Sequence, residues 1–300
     1  MVELEGLVTE TQNRDTMNLD CLTPFEIAQA MNREDKKMVE AVEKVLPQVA
    51  ILIEWCTETL RQGGRMIYMG AGTSGRLGVL DAVECPPTFG TSPDKVIGLI
   101  AGGDKAFVKA VEGAEDSETL GEKDLREIHL NARDIVIGIA ASGRTPYVIH
   151  ALRYAKSIGC KTAAIACNGN SVIGKEAELA IEAVVGAEVL TGSTRLKAGS
   201  AQKMILNMVS TGTMVGIGKV YKNLMVDVMQ TNEKLSARAE KIVMSATDCD
   251  SEVASETLKN SKGNVKLAIV MILLKCDYAQ AEEALRQQRG YVRKVLEQHN

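Results

Sequence analysis

The spacing of apolar positions changes near residue 65. Upstream, from Thr23 to about Gln62, they recur at helical intervals, with a break or kink near Pro47. Thr23 can cap this stretch, Pro24 suits the first helical position, and Glu26 can complete a capping box. Gly63-Gly64 ends it. Downstream, short apolar runs predict strands at Met66–Met69, Val96–Ile100, Ile135–Ala140, Thr162–Ala166 and Ile181–Val185. Helical stretches are expected between them, over Ser74–Val83, Lys105–Gly113, Pro146–Ser157 and Asn170–Lys175. Such β-α-β-α alternation predicts an α/β fold, a flavodoxin-like parallel five-stranded sheet covered on both faces. With strand order 2-1-3-4-5, the crevice at the switch point lies between strands 1 and 3.

A long apolar helix is expected from Lys197 to Val220, with Gly212, Gly216 and Gly218 permitting close helix contact. Residues 221–245 read as a helical connection. The tail reads as three short helices, Ser251–Asn260, Asn264–Lys275 and Asp277–Gln288, with Asn264 and Asp277 as caps and Gly263 and Gly290 as stops. Residues 1–22 are polar and aperiodic, as expected of a solvated arm, although such an arm could also cover the crevice or a partner subunit. The expected division is an N-terminal arm and helices (1–55), a sheet domain (56–220) and a small helical C-terminal region (221–300).

Composition narrows the function classes. The 300 residues are 45% hydrophobic with a net charge of −4, so nucleic acid and anionic membranes are poor partners. Aromatics at 3% are too few for base-stacking platforms. The most apolar run, Leu267 to Leu274, is well short of the ~20 residues of a membrane span and reads as a core helix. The seven cysteines form no CxxC, and Met1–Gly6 lacks the basic and apolar regions of a secretion signal. A cytoplasmic protein with reduced thiols is expected.

Two hydroxyl- and glycine-rich loops follow predicted strands 1 and 3. They are Gly70-Ala71-Gly72-Thr73-Ser74-Gly75 and Ser142-Gly143-Arg144-Thr145. Each leads into a helix, and backbone N–H groups, hydroxyls and a helix N-terminus together favour an anion. Purely structural turns and caps would read the same way singly; two on one sheet suggest a phosphorylated small ligand. A third such segment, Thr191–Lys197, carries Ser193 and Thr194, with Arg195 and Lys197 as ligand cations or as solvated surface charge. The first loop matches GxGxxG. A dinucleotide also wants an acid at the end of the second strand, and only Asp104 is near, beyond Gly102-Gly103. No Gly-Lys-Ser/Thr occurs. Cys85 lacks a basic partner in sequence, and His129, His150 and His299 are isolated, so neither a thiol nucleophile nor a metal is expected. Glu84 precedes Cys85-Pro86-Pro87, where Pro-Pro should stop the helix. Glu115 neighbours Glu112 at helical spacing. Either glutamate could be catalytic or simply a surface residue.

Longer segments carry a resemblance. Leu7–Glu10, Gly70–Gly78, Asp81–Phe89, Ile100–Gly103, Glu112–Asp116 and Thr191–Gly199 are similar to the N-acetylmuramic acid 6-phosphate etherases, with one difference, Val83, where a smaller residue is expected. The resemblance implies a sugar isomerase (SIS) domain, a cytoplasmic homodimer and a C-terminal subdomain similar to ubiquitin-associated domains. It implies cleavage of the D-lactyl ether of N-acetylmuramate 6-phosphate during cell-wall amino-sugar recycling, without cofactor or metal. By position Glu84 and Glu115 match the acid–base glutamates, Glu84 toward the lactate oxygen and Glu115 toward C2. One of them must hold its proton at neutral pH, by burial or a neighbouring like charge. Ser142, Gly143, Arg144 and Thr145 would take the phosphate. Thr73, Ser74, Gly75, Ser193 and Thr194 would add contacts to sugar and phosphate. A phosphosugar aldose–ketose isomerase and a non-catalytic phosphosugar sensor are the competing readings.

Overall fold

The computed structural model describes residues 6–109, 111–228 and 233–299. Three short 3-10 turns, Val8–Glu10, Arg14–Thr16 and Leu19–Cys21, precede α1 (Pro24–Glu43) and α2 (Leu46–Arg61). The Thr23 capping box forms as expected: Glu26 N–H donates to Thr23 Oγ1 at 3.4 Å, and Thr23 N–H donates to Glu26 Oε2 at 2.8 Å. The helical break falls at Lys44 and Val45, because Pro47 sits in the first turn of α2 where its missing N–H costs nothing.

The sheet comprises β1 (Met66–Gly70), β2 (Val96–Ile100), β3 (Ile135–Ala140), β4 (Lys161–Ala166) and β5 (Leu179–Glu182). All pairings are parallel and the order is β2-β1-β3-β4-β5, as the alternation predicted. Between them run α3 (Gly72–Phe89), α4 (Lys105–Val108), α5 (Leu120–Glu127), α6 (Pro146–Ile158) and α7 (Val172–Glu176). One face buries Ile67, Met69, Val136 and Ala164 against Val148, Ala151 and Leu152 of α6. On the other face α3 presses onto the sheet at Gly78, where an added Cβ would lie 2.9 Å from Tyr68 Cβ. Arg65, just before β1, clamps Asp134, just before β3, through a hydrogen bond of 2.6 Å.

After the sheet come α8 (Lys197–Gly216), a small hairpin of β6 (Val220–Tyr221) and β7 (Leu224–Met225), then α9 (Glu233–Thr247), α10 (Ser251–Asn260), α11 (Val265–Leu274), α12 (Tyr278–Gln287) and α13 (Val292–His299). The chain forms two compact units. Residues 1–83 and 94–210 make the first, and 84–93 and 211–300 the second. The second has its own core, in which Ala239, Val243, Ala254, Ala268, Ile269 and Ala281 are fully buried.

Several expectations need correction. The described part of the arm is anchored rather than free, although many of its residues face solvent: Thr9 is 0% exposed, its N–H donates to Asn168 Oδ1, and Asn168 Nδ2 donates to Thr9 Oγ1 at 2.9 Å. Thr16 is tied likewise to the Val189 carbonyl. Helix α3 is not stopped by Pro86-Pro87 but runs to Phe89. Both prolines fall in its last turns, so only the carbonyls four residues back lose helical donors, and Gly90 at φ +59° ends it. The stretch after β2 is helical only over Lys105–Val108, so Glu112 and Glu115 share no helix. Helix α5 was missed because its face holds little more than Leu120 and Leu125. β5 starts two residues early, and α8 ends at Gly216, before Val220. The expected helical connection opens as a hairpin turned at Lys222 (φ +54°), and among the described residues it is helical from Glu233. Helix α9 is the later part of that connection; the three expected tail helices follow as α10, α11 and α12, and a fourth, α13, was not read.

Candidate functional site

The carboxyl ends of neighbouring strands β1 and β3 open into one cavity of about 520 Å³ in the first unit. Its wall includes Thr73, Ser74, Ser142, Arg144, Thr145 and Thr194, so all three hydroxyl-rich segments reach it. The first turns of α3 and α6, at Gly72 and Pro146, also line it, bringing two helix N-termini and their free N–H groups to the same space. With the Arg144 guanidinium, these groups suit an oxyanion.

The glycines of the first loop serve close approach. An added Cβ at Gly75 would lie 2.5 Å from the Gly70 carbonyl oxygen and 2.7 Å from Ile100 Cγ1. At Gly70 it would lie 2.7 Å from Gly75 N. Gly75 therefore seats the first turn of α3 against β1 rather than lining the cavity. In the second loop Gly143 adopts φ +72°, and its N–H closes a turn to the Ala140 carbonyl at 3.0 Å. The Ser142 hydroxyl accepts from Arg144 N–H.

Glu115 stands on the cavity wall, in the turn before α5. Thr145 Oγ1 donates to its Oε1 at 3.0 Å, and Tyr147 N–H donates to its backbone carbonyl at 3.1 Å. Thr145 is thus engaged with the carboxylate, whatever else it meets in the cavity. Glu84 lies about three turns along α3 from the loop, exposed, within the segment that belongs to the second unit. Glu115 is exposed as well, so neither glutamate has the burial anticipated for the proton-holding member. Ser193 is half-buried, its N–H bonded to the Leu190 carbonyl.

Lys197 fits neither sequence reading. It is 1% exposed, its Nζ lies 2.6 Å from Glu34 Oε2 of α1, and its N–H donates to Glu188. It is a structural ion pair, whereas Arg195 is exposed.

The arm reaches the cavity, one of the roles the sequence left open for it, while Asp116, Asn168 and Gln202 were missed. Leu7 and Glu10 bring the arm to the cavity wall, and Asp116 adds a carboxylate there. Asn168, just after β4, binds the Ala141 carbonyl as well as Thr9, and so joins the second loop to the arm. Its place past the carboxyl end of a parallel strand was the available signal. Behind Ser74, Gln202 of α8 is 1% exposed, and its Oε1 accepts the Ser74 hydroxyl proton at 2.9 Å. Farther along α3, Asp81 accepts from Ser210 Oγ at 3.0 Å, and burial pushes its pKa up to about 6 against the hydrogen bonds of Ser210 and Tyr68. Among the described residues no cluster of three or more His, Cys, Asp or Glu could hold a metal ion.

The family models agree with this architecture. The family model for the glucokinase regulatory protein N-terminal SIS domain matches residues 48–156, and the SIS domain model matches 112–212. A protein of Halalkalibacterium halodurans named N-acetylmuramic acid 6-phosphate etherase is 55% identical over 297 residues, covering 99% of this chain and 100% of that protein. Proteins of the same name from Geobacillus sp. (59% over 294 residues, 98% and 100% coverage) and Vibrio campbellii (56% over 296, 99% and 96%) are similarly close. Among solved structures, a phosphoheptose isomerase from Neisseria gonorrhoeae superposes with a TM-score of 0.49 at 17% identity, covering 64% of this chain and 98% of that one.

Proposed function

The chain belongs to the N-acetylmuramic acid 6-phosphate etherase family, and from that premise we propose how its residues cleave the substrate. It is a carbon–oxygen lyase that releases D-lactate from N-acetylmuramate 6-phosphate and leaves N-acetylglucosamine 6-phosphate. The convergence of three hydroxyl-bearing segments, two helix N-termini and Glu115 on one cavity carries the mechanistic reading.

The phosphate binds Ser142, Gly143, Arg144 and Thr145, with Thr73, Ser74, Ser193 and Thr194 contacting sugar and phosphate and Gly75 holding the first loop in shape. Anchoring the remote end fixes C2 and C3, so binding energy serves orientation. In the ring-opened sugar the C1 aldehyde acidifies the C2 proton. Glu115, oriented by Thr145, removes that proton, and a second acid, assigned to Glu84 by the family resemblance although Glu84 does not line this cavity, protonates the ether oxygen departing from C3. Lactate leaves and a C2–C3 double bond conjugated with the aldehyde remains. Water then adds its oxygen to C3, and a proton returns to C2. The sum is substrate plus water giving amino-sugar phosphate plus lactate, with no redox change.

The enzyme acts as a cytoplasmic homodimer in bacterial recycling of cell-wall amino sugars. Among the described residues no helix is long and apolar enough to cross a membrane. Exposed Phe25, Val39, Leu46 and Ile51 on α1 and α2 support a self-association surface. Incubation with N-acetylmuramate 6-phosphate in deuterated or ¹⁸O-labelled water tests the chemistry. Free D-lactate, deuterium at C2 and ¹⁸O at C3 are expected. Deuterium at C2 without lactate would instead indicate an isomerase, and binding without either a sensor.

A further inference from the structure

Ser74 lines the cavity, yet its hydroxyl proton points away from it, to Gln202 Oε1 at 2.9 Å. In that state the hydroxyl offers a ligand only lone pairs, which an anion cannot use. The other end of the Gln202 amide is anomalous too. Its Nε2 is buried and has no hydrogen-bond partner among the described residues. A buried donor without an acceptor is costly, and such an atom calls for an explanation. Turning the amide by 180° resolves both features when an anion is present. Nε2 then donates to Ser74 Oγ, and the Ser74 proton is free to point into the cavity. The buried Oε1 is left in its place, which is the more tolerable orphan for a carbonyl.

We propose that Gln202 is a positioning residue: the end of its amide presented to Ser74 decides whether that hydroxyl gives or takes a hydrogen bond at the sugar-phosphate cavity. The inference rests on the reading of Ser74 as a ligand of the substrate. Gln202 touches no substrate atom in this account; it acts through Ser74. Glutamine suits the task because one side chain carries a donor and an acceptor of nearly equal shape. A carboxylate could only hold the serine proton, and an apolar side chain would leave it undirected.

The test measures KM and kcat for D-lactate release, and the thermal midpoint, in Ser74→Ala, Gln202→Met, Gln202→Glu and the double variant Ser74→Ala/Gln202→Met. Loss of a hydrogen bond to a charged group predicts a KM rise of about 10- to 100-fold in Ser74→Ala and Gln202→Met, with kcat little changed. Gln202→Glu, nearly isosteric and therefore informative if the methionine variant folds poorly, should raise KM at least as much. In the Ser74→Ala background, Gln202→Met should add no further rise, which a merely structural role would not predict. An equal rise in both backgrounds overturns the proposal. So does an unchanged KM in Gln202→Met and Gln202→Glu while Ser74→Ala is impaired. If Ser74→Ala itself leaves KM unchanged, the assignment of Ser74 as a ligand fails first, and the role of Gln202 falls with it.

Discussion

At the level of single residues, Glu115 and Thr145 form the most informative pair. Replacing Glu115 or Glu84 by glutamine keeps shape and removes proton transfer, so lactate release should fall about 10²- to 10⁴-fold with substrate binding largely kept. Turnover assays beside calorimetric binding check this, and wild-type turnover in both variants would refute the assignment. Thr145→Val deletes the hydrogen bond to Glu115 and should lower kcat about tenfold, with Thr145→Ser restoring most of it. Equal kcat in the valine and serine variants would detach Thr145 from the carboxylate. Asp81 gives a pH signature instead. Its folded pKa near 6 exceeds the ordinary aspartate value of 3.8, so the folded state holds a proton that the unfolded chain releases first. The stabilisation is therefore present below about pH 4 and lost as pH rises through 6, a change on the order of 2–3 kcal/mol. Denaturant titrations from pH 4 to 7 should show that loss in the wild type relative to Asp81→Asn.

Elements differ in how plainly the sequence announces them. The five strands and their order were readable because buried parallel strands are continuous apolar runs, as in Ile135–Ala140, where every residue is buried. Capped helices such as Ser251–Asn260 were readable to the residue. What escaped depends on contacts from afar. α5 has too few apolar residues to show a period, the Tyr221–Leu224 hairpin has no glycine at its turn, and α3 tolerates two prolines near its end. In the site, the two loops and Thr194 were legible from composition and position, whereas Gln202, Asn168 and Glu10 were not. Polar side chains in a helix, after a strand or in an arm become part of a site only once the chain is folded. The first loop also has a purely mechanical requirement. Gly75→Ala would drive a methyl against the Gly70 carbonyl and Ile100, and should destabilise the fold by about 1–3 kcal/mol, seen as a lower denaturation midpoint. A midpoint unchanged from wild type would mean that β1 and α3 are not packed as described.

Across the molecule, the first unit is bound together by contacts distant in sequence. Lys197 reaches Glu34 across 163 residues, and Thr9 reaches Asn168 across 159. Glu34→Gln would leave a buried lysine without its counter-charge, and a loss of about 3–5 kcal/mol is expected on chemical denaturation. A chain beginning at Thr23 would lose Leu7 and Glu10 from the cavity wall and the partner of Asn168. Its KM should rise about tenfold or more while the sheet still folds, as circular dichroism can verify. An unaltered KM would show that the arm is no part of the binding wall.

The segment running from Leu7 to Leu22 also carries its own reporter. Of the seven cysteines, Cys21 alone is exposed; Cys160 and Cys167 are buried, their thiols pushed up to about 12 and so slow to react. A maleimide dye added near neutral pH should therefore settle first on that one thiol, at the junction where the N-terminal turns hand over to α1. Emission from such a label would report, in real time and without mutation, on the surroundings of this N-terminal segment as the sugar phosphate enters and lactate departs.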